Sequence, residues 1–248
     1  RRALAQKEFV LHYQPLVNLE TGLIIGVEAL IRWLHPELGV IMPDRFIHVA
    51  EETGLINPIG DWVLCEACRQ AQAWCDAGLP PITMAVNVAP VQFRQAGFVE
   101  VVAGALATSG LDANCLELEL TERTVMHDAD INLGTLSALH RMGVDLSLDD
   151  FGTGYSSLAY LKRFPVGKLK IDRSFVADLE TDPDDWAIAS TIVSMGRSLR
   201  MTVLAEGVER LALLRKMGCD MAQGYHFSRP TSAEGMADML RDQPFMNR

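Results

Sequence analysis

From Leu55 onward, apolar runs of strand length alternate with segments of helical periodicity. Strands that are apolar along most of their length are typical of a parallel sheet covered by helices on both faces, and helical crossovers connect parallel strands. The pattern therefore predicts an α/β fold built from repeated strand–helix units. The predicted strands are 10–19, 23–30, 83–88, 116–120, 145–148, 168–171, 202–205 and 220–222. The predicted helices are 58–77, 97–108, 131–142, 156–162, 184–199, 209–217 and 233–241.

The first two predicted strands differ from the rest, because only the three residues Glu20-Thr21-Gly22 separate them. A parallel crossover needs roughly a dozen residues or more, so this pair must form an antiparallel hairpin. Eight strands of this kind predict a modified (β/α)8 TIM-type barrel with an antiparallel first strand. An open doubly wound sheet is the competing interpretation.

A polar side chain stands at the end of almost every predicted strand. The carboxyl ends of all strands meet at one rim of a barrel, whereas an open sheet collects its functional side chains at one switch point. A contribution from almost every strand therefore favours the barrel. In chain order these residues are Glu28, Asn87, Glu119, Asp149, Asp150, Lys170, Glu206 and Gln223.

The acidic members of this set predict a metal site. Several carboxylates in one place repel one another and raise their own pKa values, so such a cluster usually needs a cation. Oxygen ligands without Cys or His at metal-ligand spacing suit Mg²⁺ or Mn²⁺. The adjacent Asp149 and Asp150 can each contact a different ion, as in two-metal hydrolysis of a phosphodiester. Lys170 would hold the attacking water or offset charge on the phosphoryl oxygens.

The composition limits the possible functions. With 248 residues and 49% hydrophobic content, we expect residues 1–248 to form a single domain. The formal net charge of −10 argues against binding to long nucleic acid and against contact with an anionic membrane. No apolar stretch approaches the roughly 20 residues of a membrane span, and the amino end lacks the apolar segment of a signal peptide. We therefore expect a cytoplasmic domain.

The chain has no initiator Met and opens on the helix-like Arg1-Arg2-Ala3-Leu4-Ala5. We expect it to be cut from a longer polypeptide with upstream domains. Any membrane anchor of the full-length protein would then lie in those domains.

An ordered set of short motifs extends over nearly the whole chain. They are Tyr13-Gln14-Pro15-Leu16, Glu28-Ala29-Leu30 followed by Ile31-Arg32-Trp33, Asp149-Asp150-Phe151-Gly152-Thr153-Gly154-Tyr155-Ser156-Ser157, and Gln223-Gly224-Tyr225-His226-Phe227-Ser228-Arg229-Pro230. In these motifs the chain resembles the EAL domains, bacterial phosphodiesterases that open the second messenger cyclic di-GMP. The resemblance implies a modified (β/α)8 barrel with an antiparallel first strand, and hydrolysis of one 3′,5′-phosphodiester of cyclic di-GMP to linear pGpG.

The resemblance also implies the ligands of two Mg²⁺ or Mn²⁺ ions, with Asp149 between the ions. The implied ligands are Glu28, Asn87, Glu119, Asp149, Asp150 and Glu206. Glu206 has also been regarded as the general base in such enzymes, but a metal-bound hydroxide makes the ligand role preferable.

The remaining roles implied by the resemblance concern water, substrate and a loop. Lys170 would position the attacking water, and Gln223 would lie at the edge of the water and metal network. The implied substrate-binding residues are Gln14, Arg32 and Asp172. The planar guanidinium group of Arg32 is suited to bind a phosphate through two hydrogen bonds. Glu122 would brace the loop 149–157, which in the family couples the metal site to dimerisation.

The implied partners are cyclic di-GMP, a second copy of the chain in a homodimer, and an upstream sensory or cyclase domain. One alternative is a catalytically silent EAL domain that acts as a cyclic di-GMP receptor or a protein-docking module. Such domains usually lack some ligands or the lysine, and this chain retains all of them. Another alternative is a metal-dependent barrel enzyme that acts on a different phosphate ester.

Overall fold

The computed structural model describes residues 2–154, 158–208 and 211–246. The strands are β1 (Phe9–Asn18), β2 (Ile24–His35), β3 (Gly39–Ile41), β4 (Thr83–Asn87), β5 (Leu116–Thr121), β6 (Asp145–Phe151), β7 (Lys168–Ile171), β8 (Thr202–Ala205) and β9 (Met221–Ala222). The α-helices are α1 (Arg2–Ala5), α2 (Ile47–Glu52), α3 (Ile56–Asp76), α4 (Pro90–Phe93), α5 (Phe98–Ser109), α6 (Glu122–Met126), α7 (Ala129–Arg141), α8 (Leu158–Leu161), α9 (Pro183–Leu199), α10 (Leu211–Met217) and α11 (Ala233–Asp242).

The strands form a closed barrel. Their order is β1-β9-β8-β7-β6-β5-β4-β2, and β1 also pairs with β2, which closes the ring. β1 is antiparallel to both of its neighbours, whereas β2 and β4 to β9 are parallel to one another. This arrangement confirms the predicted TIM-type barrel with an antiparallel first strand.

Several boundaries differ from the predictions. β2 continues to His35 and pairs with the short β3, which the sequence pattern did not indicate. β6 continues through the two aspartates to Phe151, so the prediction of a strand that ends at residue 148 was wrong. The predicted helices 156–162 and 209–217 begin at residues outside the described ranges, and their described parts are α8 and α10. The predictions also missed α2, α4 and α6.

The barrel strands place different residue types on their two faces. In β5, three leucines alternate with Glu117 and Glu119. Since successive side chains of a strand point to opposite faces, the leucines face the helices, where they belong to the large core. Glu117 and Glu119 face the barrel interior and are buried. The apolar core therefore lies mainly between the sheet and the helices.

The barrel interior contains a small apolar cluster between two polar ends. The cluster consists of the buried side chains Leu16, Ala85, Leu204 and Met221. At the amino ends of the parallel strands, Lys168 donates to Glu117 across 2.5 Å. The candidate site lies at the carboxyl ends. No helix among the described residues is long and apolar enough to cross a membrane.

Helix α7 offers a test of how the outer layer stabilises the fold. Leu136 is 0% exposed and Ile131 is 75% exposed on the same helix. We expect Leu136→Ala to lower the free energy of unfolding by about 2–5 kcal/mol, because it leaves a cavity in the core. Ile131→Ala should change it by less than about 0.5 kcal/mol. Urea denaturation followed by circular dichroism measures both, and equal losses would contradict the assigned packing of α7.

Candidate active site

A cavity of about 260 Å³ opens at the carboxyl ends of the parallel strands. The predicted site residues that line it are Gln14, Glu28, Asp149, Glu206 and Gln223. They come from β1, β2 and β6 and from the positions that follow β8 and β9. Closure of the barrel therefore brings together side chains that are far apart in the sequence.

The side chain of Lys170 lies at the centre of this end of the barrel and is fully buried. Its Nζ lies 2.6 Å from Glu119 Oε2, 2.7 Å from Glu206 Oε1 and 3.3 Å from Asp149 Oδ1. Burial disfavours the ammonium form, but the neighbouring carboxylates, first of all Glu119 and Glu206, outweigh this effect and raise the pKa of Lys170 well above its ordinary value. Lys170 is therefore favoured as an ammonium, and its Nζ donates to Glu119 Oε2.

Two of the carboxyl groups around Lys170, those of Glu206 and Glu119, are harder to ionise than usual. Burial is the main cause that raises the pKa of Glu206 to about 7; the charge of Lys170 opposes the shift, and the charges of Asp149 and Glu28 add to it. Burial also raises the pKa of Glu119 well above its ordinary value, although Lys170 partly offsets the effect. Lys170 alone therefore does not balance the negative charge of this cluster.

Glu28 is held by two amides. Asn87 Nδ2 donates to Glu28 Oε1 across 2.5 Å, and Gln223 Nε2 donates to Glu28 Oε2. Gln223 Nε2 also donates to Gln14 Oε1 across 2.9 Å. Gln14 and Glu28 are direct partners in the antiparallel pair of β1 and β2. The hairpin therefore fixes the position of Glu28 relative to Gln14, and the amides of Asn87 and Gln223 hold its carboxylate.

The two aspartates of β6 lie in a β-bulge. The pairing of β6 with β7 shifts by one residue between Leu148 and Phe151, and Asp150 has a φ of 53°. In a regular strand consecutive side chains would face opposite sides, and a bulge breaks that alternation. The amide N–H of Asp150 donates to Asp149 Oδ1 across 3.0 Å. Burial raises the pKa of the Asp150 carboxyl, and Asp149 and Asp172 add to the shift.

Asp172 follows the end of β7 and caps the 3₁₀ turn Arg173–Phe175. Its Oδ1 accepts a hydrogen bond from the amide of Ser174 across 3.0 Å. This cap, rather than the pleat of the strand, sets the direction of the side chain. Asp172 contributes to the raised pKa of the Asp150 carboxyl. It therefore lies beside the aspartates that the sequence predicts to bind metal.

Glu122 contacts the segment that follows β6. Its buried carboxylate accepts a hydrogen bond from the amide of Gly152 across 3.2 Å. A Cβ atom at Gly154 would lie 3.2 Å from Glu122 Oε1, so the glycine allows a close approach. The predicted loop extends to Ser157, but residues 155–157 lie outside the described ranges.

Arg32 is buried, and its Nη1 donates to the carbonyl oxygen of Ile31 across 2.8 Å. Burial lowers the pKa of Arg32, while the neighbouring Tyr225 and Glu28 oppose the change. Arg32 is not among the residues that line the cavity.

Besides Gly207 and Gly224, sequence reasoning assigned no role to three further residues that line the cavity. They are Leu30, Arg173 and Tyr225. The guanidinium of Arg229 lies 4.4 Å from the centre of the Tyr225 ring. Leu30 and Tyr225 occur in the motifs quoted above, and Arg173 directly follows Asp172, so their positions next to predicted site residues were the available signal.

The donor set fits a divalent cation. Glu119 Oε1 and Gln223 Oε1 are buried without a hydrogen-bond partner among the described residues, and both are oxygen donors of the type that Mg²⁺ and Mn²⁺ prefer. No group of three or more Cys, His, Asp or Glu residues in the described ranges has the arrangement of a metal shell. The ammonium of Lys170 lies among three of the carboxylates instead.

Two proteins of Pseudomonas aeruginosa are similar to this chain over almost its whole length. The bifunctional diguanylate cyclase/cyclic di-GMP phosphodiesterase MucR is 51% identical over 237 residues, which is 94% of this chain and 35% of MucR. The cyclic di-GMP phosphodiesterase NbdA is 44% identical over 248 residues, which is 99% of this chain and 32% of NbdA. The chain thus spans about a third of the length of these relatives.

A solved structure described as the PaMucR phosphodiesterase in complex with c-di-GMP has the same fold. It is 50% identical, covers 95% of this chain and 97% of that chain, and has a TM-score of 0.93. The family model of the EAL domain matches residues 1–230. The family match over most of the sequence thus agrees with the barrel, its antiparallel first strand and the buried lysine among carboxylates. The chain belongs to the EAL domain family.

Proposed function

We propose that this chain hydrolyses one 3′,5′-phosphodiester of cyclic di-GMP and releases linear pGpG. The observation that carries the proposal is the buried ammonium of Lys170 among carboxylates of Glu119, Asp149 and Glu206 at the mouth of the barrel. Further support comes from MucR and NbdA, which are named as cyclic di-GMP phosphodiesterases, and from the relative whose structure holds c-di-GMP.

The acidic rim is suited to hold two Mg²⁺ or Mn²⁺ ions. The residues proposed to hold them are Glu28, Asn87, Glu119, Asp149, Asp150 and Glu206. When bound, such ions activate a water molecule and neutralise charge on the phosphoryl oxygens. The buried Glu119 oxygen without a hydrogen-bond partner supports this assignment.

Lys170 acts as a donor in the proposed mechanism. Its raised pKa keeps it protonated, so it cannot accept a proton from water near neutral pH. It instead orients the attacking water through a hydrogen bond and offsets negative charge that develops on the phosphoryl group. Gln223 donates through its amide to Glu28 and Gln14, which supports its proposed position at the edge of the same network.

The proposed substrate contacts come from Gln14, Arg32 and Asp172. Gln14 lines the cavity, and its Nε2 donates to the carbonyl oxygen of Ser228 across 2.9 Å. Arg32 has a planar fork for a phosphate, and Asp172 supplies a carboxylate beside Asp150. These contacts would orient the dinucleotide so that one phosphodiester faces Lys170.

We extend the proposal to the assembly of the whole protein. Glu122 holds Gly152 directly after β6, so it would brace the segment 149–157, through which a homodimer would influence Asp149 and Asp150. An upstream sensory or cyclase domain is proposed on the basis of MucR, which is named as bifunctional and is much longer than this chain.

The decisive experiment is product analysis. Purified protein is incubated with cyclic di-GMP and either Mg²⁺ or Mn²⁺, with a chelated sample as control, and pGpG is followed by chromatography. We expect metal-dependent formation of pGpG. Binding of intact cyclic di-GMP without product would favour the silent receptor, and turnover of a different phosphate ester alone would favour another barrel enzyme.

Substitution of Glu28 tests the metal assignment. We expect Glu28→Ala to lower kcat by about 100-fold or more, since loss of a ligand should cost at least as much as loss of an outer partner. The fold should persist, because the change also relieves repulsion among buried carboxylates. Glu20→Ala, in the exposed turn after β1, is the matched control and should retain normal turnover. Normal turnover by Glu28→Ala would contradict the assignment.

The raised pKa of Glu206 predicts pH-dependent metal binding. Below the value of about 7 this carboxyl is mostly protonated, so an incoming cation must displace a proton. We therefore expect the affinity for Mn²⁺ to fall as the pH is lowered from 8 to 6. Calorimetry in two buffers with different ionisation enthalpies measures the released protons, and Glu206→Gln should release fewer. Equal affinity at both pH values without proton release would contradict the prediction.

A further inference from the structure

We propose that Arg173 is a substrate-binding residue that receives the phosphodiester anion at the mouth of the acidic cavity. This inference rests on the proposed function and adds a residue that neither the motifs nor the charge pattern of the sequence singled out. It follows from the position of the side chain, the charge of its surroundings and the chemistry of its guanidinium.

The position of Arg173 is fixed from two sides. Its backbone begins the 3₁₀ turn that Asp172 caps directly after β7, and its side chain lines the cavity together with Asp149 and Glu206. The stem of Arg173 lies across Gly207, where a Cβ atom would come within 2.8 Å of Cδ and 2.9 Å of Cβ of the arginine. Gly207 also has a φ of +65°, which a glycine adopts without strain. The glycine after Glu206 thus makes room for the arginine.

The surroundings of Arg173 are acidic. Glu28, Asp149 and Glu206 line the same cavity, and Arg173 is the single basic side chain among the described residues that line it. Lys170 is already in contact with three carboxylates beneath the cavity. Arg173, by contrast, forms no side-chain hydrogen bond or ion pair with another described residue. Its guanidinium is therefore available to an anion.

A phosphodiester carries one negative charge on two non-bridging oxygens, and the carboxylates of the cavity would repel it. The planar guanidinium of arginine can donate two parallel hydrogen bonds to such a group. Because the charge of the diester is present both before and during the reaction, Arg173 would stabilise the bound substrate and the transition state similarly. Loss of such uniform binding raises KM and leaves kcat nearly unchanged.

The test compares Arg173→Ala, Arg173→Lys and the wild type in steady-state hydrolysis of cyclic di-GMP at saturating Mn²⁺. Arg141→Ala is the matched control, because it removes the same charge from an exposed position at the carboxyl end of α7, at the opposite end of the barrel. The dissociation constant of cyclic di-GMP is measured in parallel by calorimetry with chelated protein, and circular dichroism verifies folding of each variant.

For Arg173→Ala we expect KM to rise about 10-fold or more, as for the loss of a charge-assisted hydrogen bond, with kcat changed by less than about 3-fold. Arg173→Lys should recover part of the loss, since it keeps the charge but not the fork. The KM of the wild type should rise more steeply with ionic strength than that of Arg173→Ala. Arg141→Ala should match the wild type.

The outcomes separate this inference from the proposed function. If the wild type produces pGpG and Arg173→Ala has an unchanged KM, the inference is overturned while the proposed function stands. A fall in kcat at constant KM overturns it as well. If the wild type binds cyclic di-GMP without hydrolysis, the proposed function fails, and a weaker dissociation constant for Arg173→Ala still supports the role of Arg173. An equal dissociation constant, or no binding by the wild type, overturns the inference.

Discussion

The ion cluster around Lys170 is the interaction on which the carboxyl end of the barrel depends. Four neighbouring strands meet in it, because Glu119 comes from β5, Asp149 from β6, Lys170 from β7 and Glu206 from the end of β8. Burial of these charges is costly, and mutual attraction at distances near 3 Å offsets the cost only when the partners are all in place. Removal of the ammonium would leave buried carboxylates facing one another. The same lysine thus allows the acidic rim to exist and serves the chemistry proposed for it.

A polar barrel interior is possible because the apolar burial takes place on the other face of the sheet. The leucines of β5 pack under the helices, while Glu117 and Glu119 of the same strand point inward. Such alternation usually indicates a strand with one face in water. Here both faces are covered, and lysines from β7 each donate to one oxygen of the two inward-facing glutamates. Stability is supplied by the outer layer, which leaves the inner residues at the rim free to serve a reaction.

The sequence was sufficient to predict the barrel, since the short turn at Glu20–Gly22 requires an antiparallel first pair and the later strands alternate with helices. It also indicated which strand ends carry the acidic residues, and the structure brings Glu28, Asp149 and Glu206 around one cavity. Strand periodicity could not reveal the bulge at Asp150, because one extra residue in a strand leaves no trace in an apolar pattern. Arg173 was missed for a related reason: its place depends on a turn and on contact with Gly207, which lies far away in the sequence.

The apolar cluster of Leu16, Ala85, Leu204 and Met221 limits how molecules can reach the candidate site. It fills the middle of the barrel with buried side chains, so the two polar ends do not communicate through the interior. In the proposed reaction, substrate, water, product and any cation would therefore enter through the cavity at the carboxyl ends of the strands. A dinucleotide bound in this cavity would restrict the access of bulk water from the same side. Binding of the substrate, release of the product and renewal of the water would then use the same entrance, so the bound nucleotide itself would control how the site is refilled.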